Sequence, residues 1–340
     1  MDIFDQPLFC DDVIDALSVR QGQVGNCAFV SALVTVALIR PDIIKATLRK
    51  TTAEVQVIMF SGGEWVQQKL NPQLPISGIL NQPLCAHSTR AESWVSCLEQ
   101  ASLTLFNNGS YEDASSCTVI DMYHLTGFIP ETIKCNAPDA HTSIRRIVQT
   151  PGAVLVCLGT LQVKAPQMME SGERVCSVTG LIENHSYSAL EISESNITIR
   201  NPWLIDGVDS CSVVSWDFVL EHFSHIYCVW DRRLFDSMAV ITGDQILNGW
   251  TMTPADMIEV IFVLHRRCSE YRIINQSCVG FVLRRKGIAA PSTTRSSLKN
   301  SEVISMRCVL NAGESYELKI DHVGVEKLGG TLEIFKVRNG

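Results

Sequence analysis

The chain contains the stretch Gln21-Gly22-Gln23-Val24-Gly25-Asn26-Cys27-Ala28-Phe29-Val30-Ser31-Ala32-Leu33, in which a glycine-containing turn leads into an apolar segment. The apolar segment continues to Ile39, so it is too short to span a bilayer and predicts a buried helix. Cys27 lies at the start of that helix, where backbone N–H groups and the helix dipole favour a thiolate. Gln21 lies six residues earlier, so the turn can bring its side-chain amide beside the sulfur to hold an oxyanion. This is the layout of a thiol nucleophile with an oxyanion donor.

The chain has 13 cysteines, an odd number scattered without a C-x-x-C pair. Such a set fits free thiols in a reducing compartment better than a disulfide framework, so we expect a cytoplasmic protein. The same abundance supports a second interpretation of Cys27, because free cysteines are among the most buried residues of protein cores. This stretch alone leaves both interpretations open.

Length and composition limit the class of protein. A chain of 340 residues predicts two domains, and 46% hydrophobic with 19% charged residues is typical of well-packed globular domains. A net charge of -8 argues against a nucleic-acid partner. Residues 1–20 lack the basic start of a signal peptide, and no apolar run reaches the length of a transmembrane helix. We therefore expect neither a nucleic-acid partner nor a transmembrane segment.

The order of periodic segments predicts an α+β fold with two lobes. In the first part of the chain, residues 90–106 and 117–125 have helical spacing, and residues 55–70 are typical of a hairpin. From residue 127 the pattern changes to strands separated by turns, at 132–134, 152–160, 175–181, 186–192 and 197–200. The sequence thus predicts a helical lobe over about residues 1–126 and a β-rich lobe over about 127–235.

A histidine and an asparagine flank the predicted hairpin formed by residues 186–192 and 197–200. In an antiparallel pair of this length, His185 and Asn201 face one another with Cβ atoms about 5 Å apart. An Asn oxygen that accepts from one ring nitrogen leaves the other nitrogen free to act on a thiol, as in Cys-His-Asn proteases. Each residue also has an ordinary interpretation, as a solvated or core histidine and as a turn-opening asparagine.

Six short motifs follow one another between about residues 20 and 232. They are Gln21-Gly22-x-x-Gly25-Asn26-Cys27, Gly109-Ser110-Tyr111-Glu112, Leu125-Thr126-Gly127, His185-Ser186-Tyr187-Ser188, Arg200-Asn201-Pro202-Trp203 and Ser215-Trp216-Asp217-Phe218. In this order they resemble the calpains, which are papain-fold intracellular cysteine proteases. Residues 120–131 and 226–230 most resemble the PalB-type atypical calpains, which lack EF-hands.

The resemblance implies a papain-like, two-lobed cysteine protease core at about residues 1–235 that hydrolyses peptide bonds of protein or peptide substrates. It implies that Cys27 is the nucleophile, His185 the general base and acid, and Asn201 the orienter. By the same resemblance Gln21 is an oxyanion donor, and Trp203 shields the contact between His185 and Asn201. The sequence departs from the family at two positions, since many calpains have Trp in place of Ala28 and Asp in place of Asn26.

Two other functions compete with the protease. One is a calpain-fold scaffold that binds proteins and is catalytically weak, which loss of a catalytic residue would favour; none is lost here. The other is an acyl transferase of the transglutaminase type. Asn201 as third member, with Trp203 two residues later, favours the protease.

The last part of the chain predicts a small all-β domain at about residues 250–340. Short strands at 260–264, 279–283, 303–310, 316–320 and 331–337 alternate with turns, as in a β-sandwich. In calpains a C2-like sandwich follows the protease core, so the resemblance implies a C2-like domain here. Its basic run Arg284-Arg285-Lys286 makes a regulatory protein or an acidic lipid a candidate partner, although such a run is usually a solvated face. Residues 230–253 connect the two domains, and residues 287–300 form a Ser/Thr-rich loop.

No metal or other cofactor is expected to be required. His222, His225 and Cys228 lie close in sequence but have no fourth ligand nearby, which argues against a metal site. Calcium needs six to eight oxygen ligands, and residues 204–215, the loop after Trp203, offer only Asp206 and Asp209. No EF-hand loop is present in the sequence. We therefore expect weak calcium dependence or none, and a calcium site in the first lobe that uses Glu92, Glu99 or Glu112 stays open as the alternative.

Overall fold

The computed structural model describes residues 6–51, 54–70, 73–75, 84–107, 109–111, 114, 116–169, 172–205, 208–266, 278–286, 293–296, 301–323 and 329–338. Its contacts divide the chain into two compact units. The first unit comprises Met1–Met59 and Val66–Trp230, and the second comprises Phe60–Trp65 and Asp231–Gly340. Of the expected positions, Glu112, Asp206 and most of the loop 287–300 lie outside the described residues.

The helices of the first unit are α1 (Cys27–Ile39), α2 (Pro41–Thr47), α3 (Trp94–Asn107), α4 (Thr118–Thr126), α5 (Ala140–Val148) and α6 (Trp216–His222). In α1 every residue from Ala28 to Ala37 is buried. A helix that is apolar on all sides must lie inside the protein, so the prediction of a buried helix is confirmed. Helix α4 ends at Gly127, which has a left-handed φ of 66° and donates its N–H to Tyr123 O.

The strands of the first unit are β1 (Val19–Arg20), β2 (Leu48–Lys50), β3 (Val55–Ser61), β4 (Glu64–Lys69), β5 (His87–Ser88), β6 (Ile129–Lys134), β7 (Val154–Gly159), β8 (Pro166–Met168), β9 (Arg174–Cys176), β10 (Ser186–Ile192), β11 (Asn196–Ile205), β12 (Val208–Ser215) and β13 (His225–Trp230). The tip of the β3–β4 hairpin belongs to the second unit by its contacts. Six strands form an antiparallel sheet in the order β12-β11-β10-β7-β13-β6.

Helix α1 packs on this sheet through side chains of its buried face. Ser31 Oγ donates to Ser186 O at 2.9 Å, and Ser188 Oγ donates to Ser31 O at 3.0 Å. Thr35 lies 3.2 Å from the sulfur of Cys157, on β7. These contacts fix the start of β10 beside the first turns of α1, so the position of Cys27 is set relative to the residues around His185.

Two sequence predictions in this unit are wrong in detail, and two helices were not predicted. The strand expected at 175–181 ends at Cys176, because residues 177–180 form a turn in which Gly180 donates to Cys176 O. The loop expected at 204–215 is largely β12, which pairs with β11. Helices α2 and α5 were not predicted, although α5 buries Ala140, Ser143, Ile144 and Ile147 at helical spacing.

The second unit is built from two four-stranded antiparallel sheets. Its strands are β14 (Phe235–Thr242), β15 (Trp250–Met252), β16 (Ile258–Arg266), β17 (Cys278–Arg285), β18 (Thr293–Arg295), β19 (Val303–Leu310), β20 (Tyr316–Val323) and β21 (Gly330–Val337). The sheets run in the orders β14-β21-β16-β19 and β15-β20-β17-β18. Phe262 of the first sheet packs against Trp250 and Phe281 of the second, with ring centroids 5.9 and 6.1 Å apart. The two sheets therefore share one apolar core, as in a β-sandwich.

The residues that make up the second unit differ from the predicted domain range. Strand β14 lies in the stretch that was expected to connect two domains, yet it pairs along its length with β21. Within the same unit, Glu302 Oε1 accepts hydrogen bonds from Ser61 Oγ and Gly62 N, both at 2.7 Å. The unit thus includes a strand and a hairpin tip that lie outside the predicted range of 250–340.

Among the described residues, no single helix has both the length and the apolar character needed to cross a bilayer. The pair α1 and α2 reaches those limits only when taken together, across a bend of 110°.

Candidate active site

Cys27 is the first residue of α1 and is partly exposed. Backbone N–H groups of Ser186 and Ala28 approach its sulfur and favour the thiolate. Burial has the larger effect, however, and raises the pKa of the Cys27 thiol above its ordinary value, with a smaller contribution from the charge of Asp121. Burial of Cys27 thus opposes the effect of the helix start, which favours the thiolate.

His185 and Asn201 are in direct contact. His185 Nε2 lies 2.8 Å from Asn201 Oδ1, and the same oxygen accepts the backbone N–H of Trp203 at 3.0 Å. Because Oδ1 is an acceptor, the hydrogen bond places the proton of a neutral imidazole on Nε2 and leaves Nδ1 with a lone pair. The two side chains meet as expected, but the predicted pairing is wrong in register: Ser188 of β10 pairs with Arg200 of β11, so Asn201 is not directly opposite His185, and it lies within β11 instead of after its last residue.

The position of the imidazole is fixed from three sides. Thr160 makes three hydrogen bonds with the backbone of His185: Thr160 N and Thr160 Oγ1 donate to His185 O at 3.0 and 3.2 Å, and His185 N donates to Thr160 Oγ1 at 3.1 Å. The rings of Trp203 and Tyr187 lie 4.5 and 5.1 Å from the His185 ring, centroid to centroid. His185 is 3% exposed, and burial lowers its pKa to about 4. Asn201 and the charge of Glu173 oppose that shift.

Gln21 lies in the turn that precedes Cys27. Its Nε2 donates to Val24 O at 2.8 Å, a bond that closes the turn. Its Oε1 is buried and has no hydrogen-bond partner in the described part of the chain. An amide nitrogen has two N–H groups, so one remains available in addition to the bond to Val24.

Sequence reasoning missed several residues around this site. Tyr187 lies two residues after His185 in the same strand, so strand alternation could have predicted that it lies beside the histidine. Glu99 is a second example, since Asn26 Nδ2 donates to Glu99 Oε1 at 2.6 Å across 73 positions of sequence. Nothing in the local pattern indicates that contact. Among the described residues, no group of three or more His, Cys, Asp or Glu is arranged to hold a metal ion.

Comparisons with known proteins give a family for this arrangement. A model described as calpain family cysteine protease matches residues 1–222. The chain is 25% identical to the calpain-like protease palB/RIM13 of Candida albicans over 224 residues, which cover 65% of this chain and 29% of that protein. It is 26% identical to calpain-7 of Homo sapiens over 285 residues, covering 67% and 34%. It is 28% identical to calpain-B of Drosophila melanogaster over 254 residues, covering 65% and 25%. The chain thus spans about a third or less of the length of these relatives.

Proposed function

The chain belongs to the calpain family of cysteine proteases, and we propose that it is a cysteine endopeptidase with Cys27 as nucleophile, His185 as general base and acid, and Asn201 as orienter. One observation carries the proposal. His185 Nε2 lies 2.8 Å from Asn201 Oδ1, and the N–H of Ser186, the residue that follows His185, approaches the Cys27 sulfur. A thiol, an imidazole and its orienting amide are thereby adjacent in one unit.

The directions of the pKa shifts support a mechanism that starts from two neutral groups. Burial raises the pKa of Cys27 and lowers that of His185, so the thiol keeps its proton until substrate arrives. As the sulfur attacks the peptide carbonyl, Nδ1 of His185 takes the thiol proton, and the C–S bond forms while the carbonyl oxygen becomes an oxyanion. The imidazolium then gives that proton to the leaving amine, and the C–N bond breaks. Water, deprotonated by His185, hydrolyses the thioester and regenerates the thiol.

Gln21 and Trp203 have supporting roles in this proposal. The free N–H of the Gln21 amide and the backbone N–H of Cys27 bind the oxyanion. Trp203 covers the histidine with its ring and holds Asn201 Oδ1 with its backbone N–H, which excludes water from the contact with His185. Both roles rest on the family resemblance as well as on the local geometry.

We further propose that the protease region, at about residues 1–235, is followed by a C2-like domain that contacts a regulatory protein. The two four-stranded sheets with a shared core support the domain type. Arg285 pairs with Glu314, and Lys286 pairs with Glu317 at 3.5 Å, so the basic run offers less charge to an acidic lipid than the sequence suggests. Every cysteine within the described residues is free, which supports the proposed cytoplasmic location.

The test of the catalytic proposal is labelling with an irreversible, thiol-directed peptide inhibitor followed by peptide mapping. We expect the label on Cys27 in preference to the other cysteines, because in the described part of the chain Cys27 alone combines a helix start with a nearby histidine. Cys27→Ala should abolish turnover of a peptide substrate and leave the fold intact. Labelling spread evenly over several cysteines, or peptidase activity that survives in Cys27→Ala, would refute the nucleophile. A folded chain that neither reacts nor turns over would favour the catalytically weak scaffold.

A further inference from the structure

A buried carboxylate is bonded to the residue that precedes the nucleophile. Asn26 is 2% exposed and is the N-cap residue of α1, yet its side chain does not cap the helix. Its Nδ2 donates to Glu99 Oε1 at 2.6 Å, and Glu99 is 1% exposed. The same Oε1 accepts the backbone N–H of Ala86 at 2.8 Å. One oxygen therefore joins Asn26 to a second chain segment.

The second segment supports the turn that contains Gln21. Gln23 N donates to Leu84 O at 3.0 Å. A Cβ atom placed on Gly22 would lie 2.2 Å from Leu84 O and 2.4 Å from Cys85 O, so the two backbones are in close contact there. Ala86 follows directly, and its carbonyl accepts Ser96 Oγ of α3 at 2.7 Å. Both hydrogen bonds accepted by Glu99 Oε1 thus come from residues 21–27 or from the segment that packs against them.

We propose that Glu99 is a positioning residue for Cys27: by accepting Asn26 and Ala86 at one oxygen, it holds the turn at the angle that aims the thiol at His185. The inference rests on the proposed function, because the direction of the thiol matters for catalysis only if Cys27 is the nucleophile. Glu99 touches neither substrate nor reacting atoms and acts through Asn26.

The protonation state of Glu99 should change how firmly the turn at residues 21–27 is held near neutral pH. Burial raises the pKa of Glu99 to about 7, while its hydrogen bonds with Ala86, Asn26 and Tyr111 act in the opposite direction. The ionised carboxylate accepts stronger hydrogen bonds than the neutral acid, so the turn is held more tightly above that value. The titratable groups that respond to its charge are Tyr111 and Cys85, and burial raises the pKa of both, so they stay neutral in this range.

A second buried acid faces the nucleophile and must be separated from Glu99. Burial raises the pKa of Asp121 to about 7 as well, and its charge raises that of Cys27. Asp121 is present in both the wild type and any Glu99 variant. The ratio of the wild-type rate to the variant rate of Cys27 alkylation at each pH therefore removes the contribution of Asp121 and isolates the contribution of Glu99.

The experiment compares Glu99→Gln and Glu99→Ala with the full-length wild type. The first readout is the rate at which iodoacetamide alkylates Cys27, followed by peptide mapping from about pH 5.5 to 8.5. The second is kcat and KM on a peptide substrate. Glu99→Ala should lower kcat by about 10²-fold with little change in KM, since misplacement of a reacting group has losses of this size. The ratio of wild-type to Glu99→Gln rates should rise as pH increases through about 7.

The matched control is Glu92→Gln. Glu92 is equally buried at 1% exposure, but its oxygens accept from Cys10 N, Ser88 Oγ and Trp94 Nε1, none of which belongs to residues 21–27 or to the segment 84–86 that contacts them. The Glu92→Gln variant should have a lower midpoint of thermal unfolding and an unchanged pH dependence of Cys27 alkylation. Equal pH profiles for Glu92→Gln and Glu99→Gln, or a Glu99→Gln profile that matches the wild type, would overturn the inference.

Two further outcomes are decisive. If the Glu99 variants do not fold, Asn26→Ala is used instead, because it removes the hydrogen bond between Asn26 and Glu99 without changing the carboxyl group. Unchanged alkylation of Cys27 in Asn26→Ala would overturn the inference. If the wild type cleaves no peptide and the inhibitor misses Cys27, the proposed function fails. The alkylation ratios still decide whether Glu99 controls Cys27, so the two failures are distinguishable.

Discussion

At the scale of single residues, Asn201 Oδ1 holds two N–H groups, from His185 Nε2 and from the Trp203 backbone. Replacement by Ala leaves the imidazole N–H without an acceptor and lets the ring rotate away from Cys27. We expect Asn201→Ala to lower kcat by about 10- to 100-fold with little change in KM. Asn201→Asp keeps an acceptor in place and should retain more activity, and steady-state kinetics on both variants measure the difference. A change confined to KM would contradict the orienting role.

The pKa of His185 sets the acid limit of activity. Burial lowers it to about 4, and only the neutral imidazole can take the thiol proton. Activity therefore persists as pH falls below the ordinary histidine value and is lost as pH falls through about 4. The measurement is the pH profile of kcat/KM in the Glu99→Gln variant, which lacks the titration of Glu99. A decrease centred near the ordinary pKa of about 6.5 would show that the imidazole is better hydrated than its burial indicates.

At the scale of elements, the turn at 21–26 offers a matched pair of glycines. A Cβ on Gly22 would overlap the carbonyl oxygens of Leu84 and Cys85, whereas a Cβ on Gly25 would meet nothing within 4 Å. Backbone atoms cannot rotate away as side chains do, so Gly22→Ala must displace the turn. We expect Gly22→Ala to lower the free energy of unfolding by about 1–3 kcal/mol and to slow inhibitor labelling of Cys27. Gly25→Ala should change neither, and equal effects in the two variants would refute the role of the close contact.

Elements with a complete local pattern were predictable from sequence. Helix α1 is apolar on all sides and ends before Pro41, and the hairpin of β10 and β11 has a polar turn between two strands. That hairpin also brings His185 to Asn201, so the contact between these two residues followed from the same pattern, whereas their roles are implied by the family resemblance. The family resemblance agreed with it, and the family match confirms the resemblance.

Elements that depend on distant partners were not predictable. Strand β12 is an edge strand whose residues 211–215 are largely exposed, and its structure comes from pairing with β11. Strand β14 likewise pairs with β21, about ninety positions later. The same reason explains why sequence did not predict the contact of Asn26 with Glu99 or the effect of burial on the pKa of Cys27. Neither packing partners nor desolvation can be seen in a single stretch of sequence.

At the scale of the whole molecule, the dependence on calcium stays a prediction. Of the stretch after Trp203, residues 204–205 end β11 and residues 208–215 form β12, and the backbone groups of these two strands already pair with one another. A full calcium shell needs six to eight oxygens from a loop that can wrap the ion. We therefore expect peptidase activity in chelator to differ little from that in millimolar calcium. A rise of tenfold or more on adding calcium, equivalent to about 1.4 kcal/mol, would contradict this.

The division into two units predicts how truncation affects the protein. Every candidate catalytic residue precedes Asp231, so a fragment of residues 1–230 keeps the full set. A fragment of residues 1–249 keeps β14 but loses β21, the strand with which β14 pairs. An unpaired strand exposes N–H and C=O groups that bind other chains, so the longer fragment should aggregate more than the shorter one. Inhibitor labelling and size-exclusion chromatography on both fragments measure these effects. A folded 1–230 fragment in which Cys27 does not react would show instead that the second unit helps to build the active site.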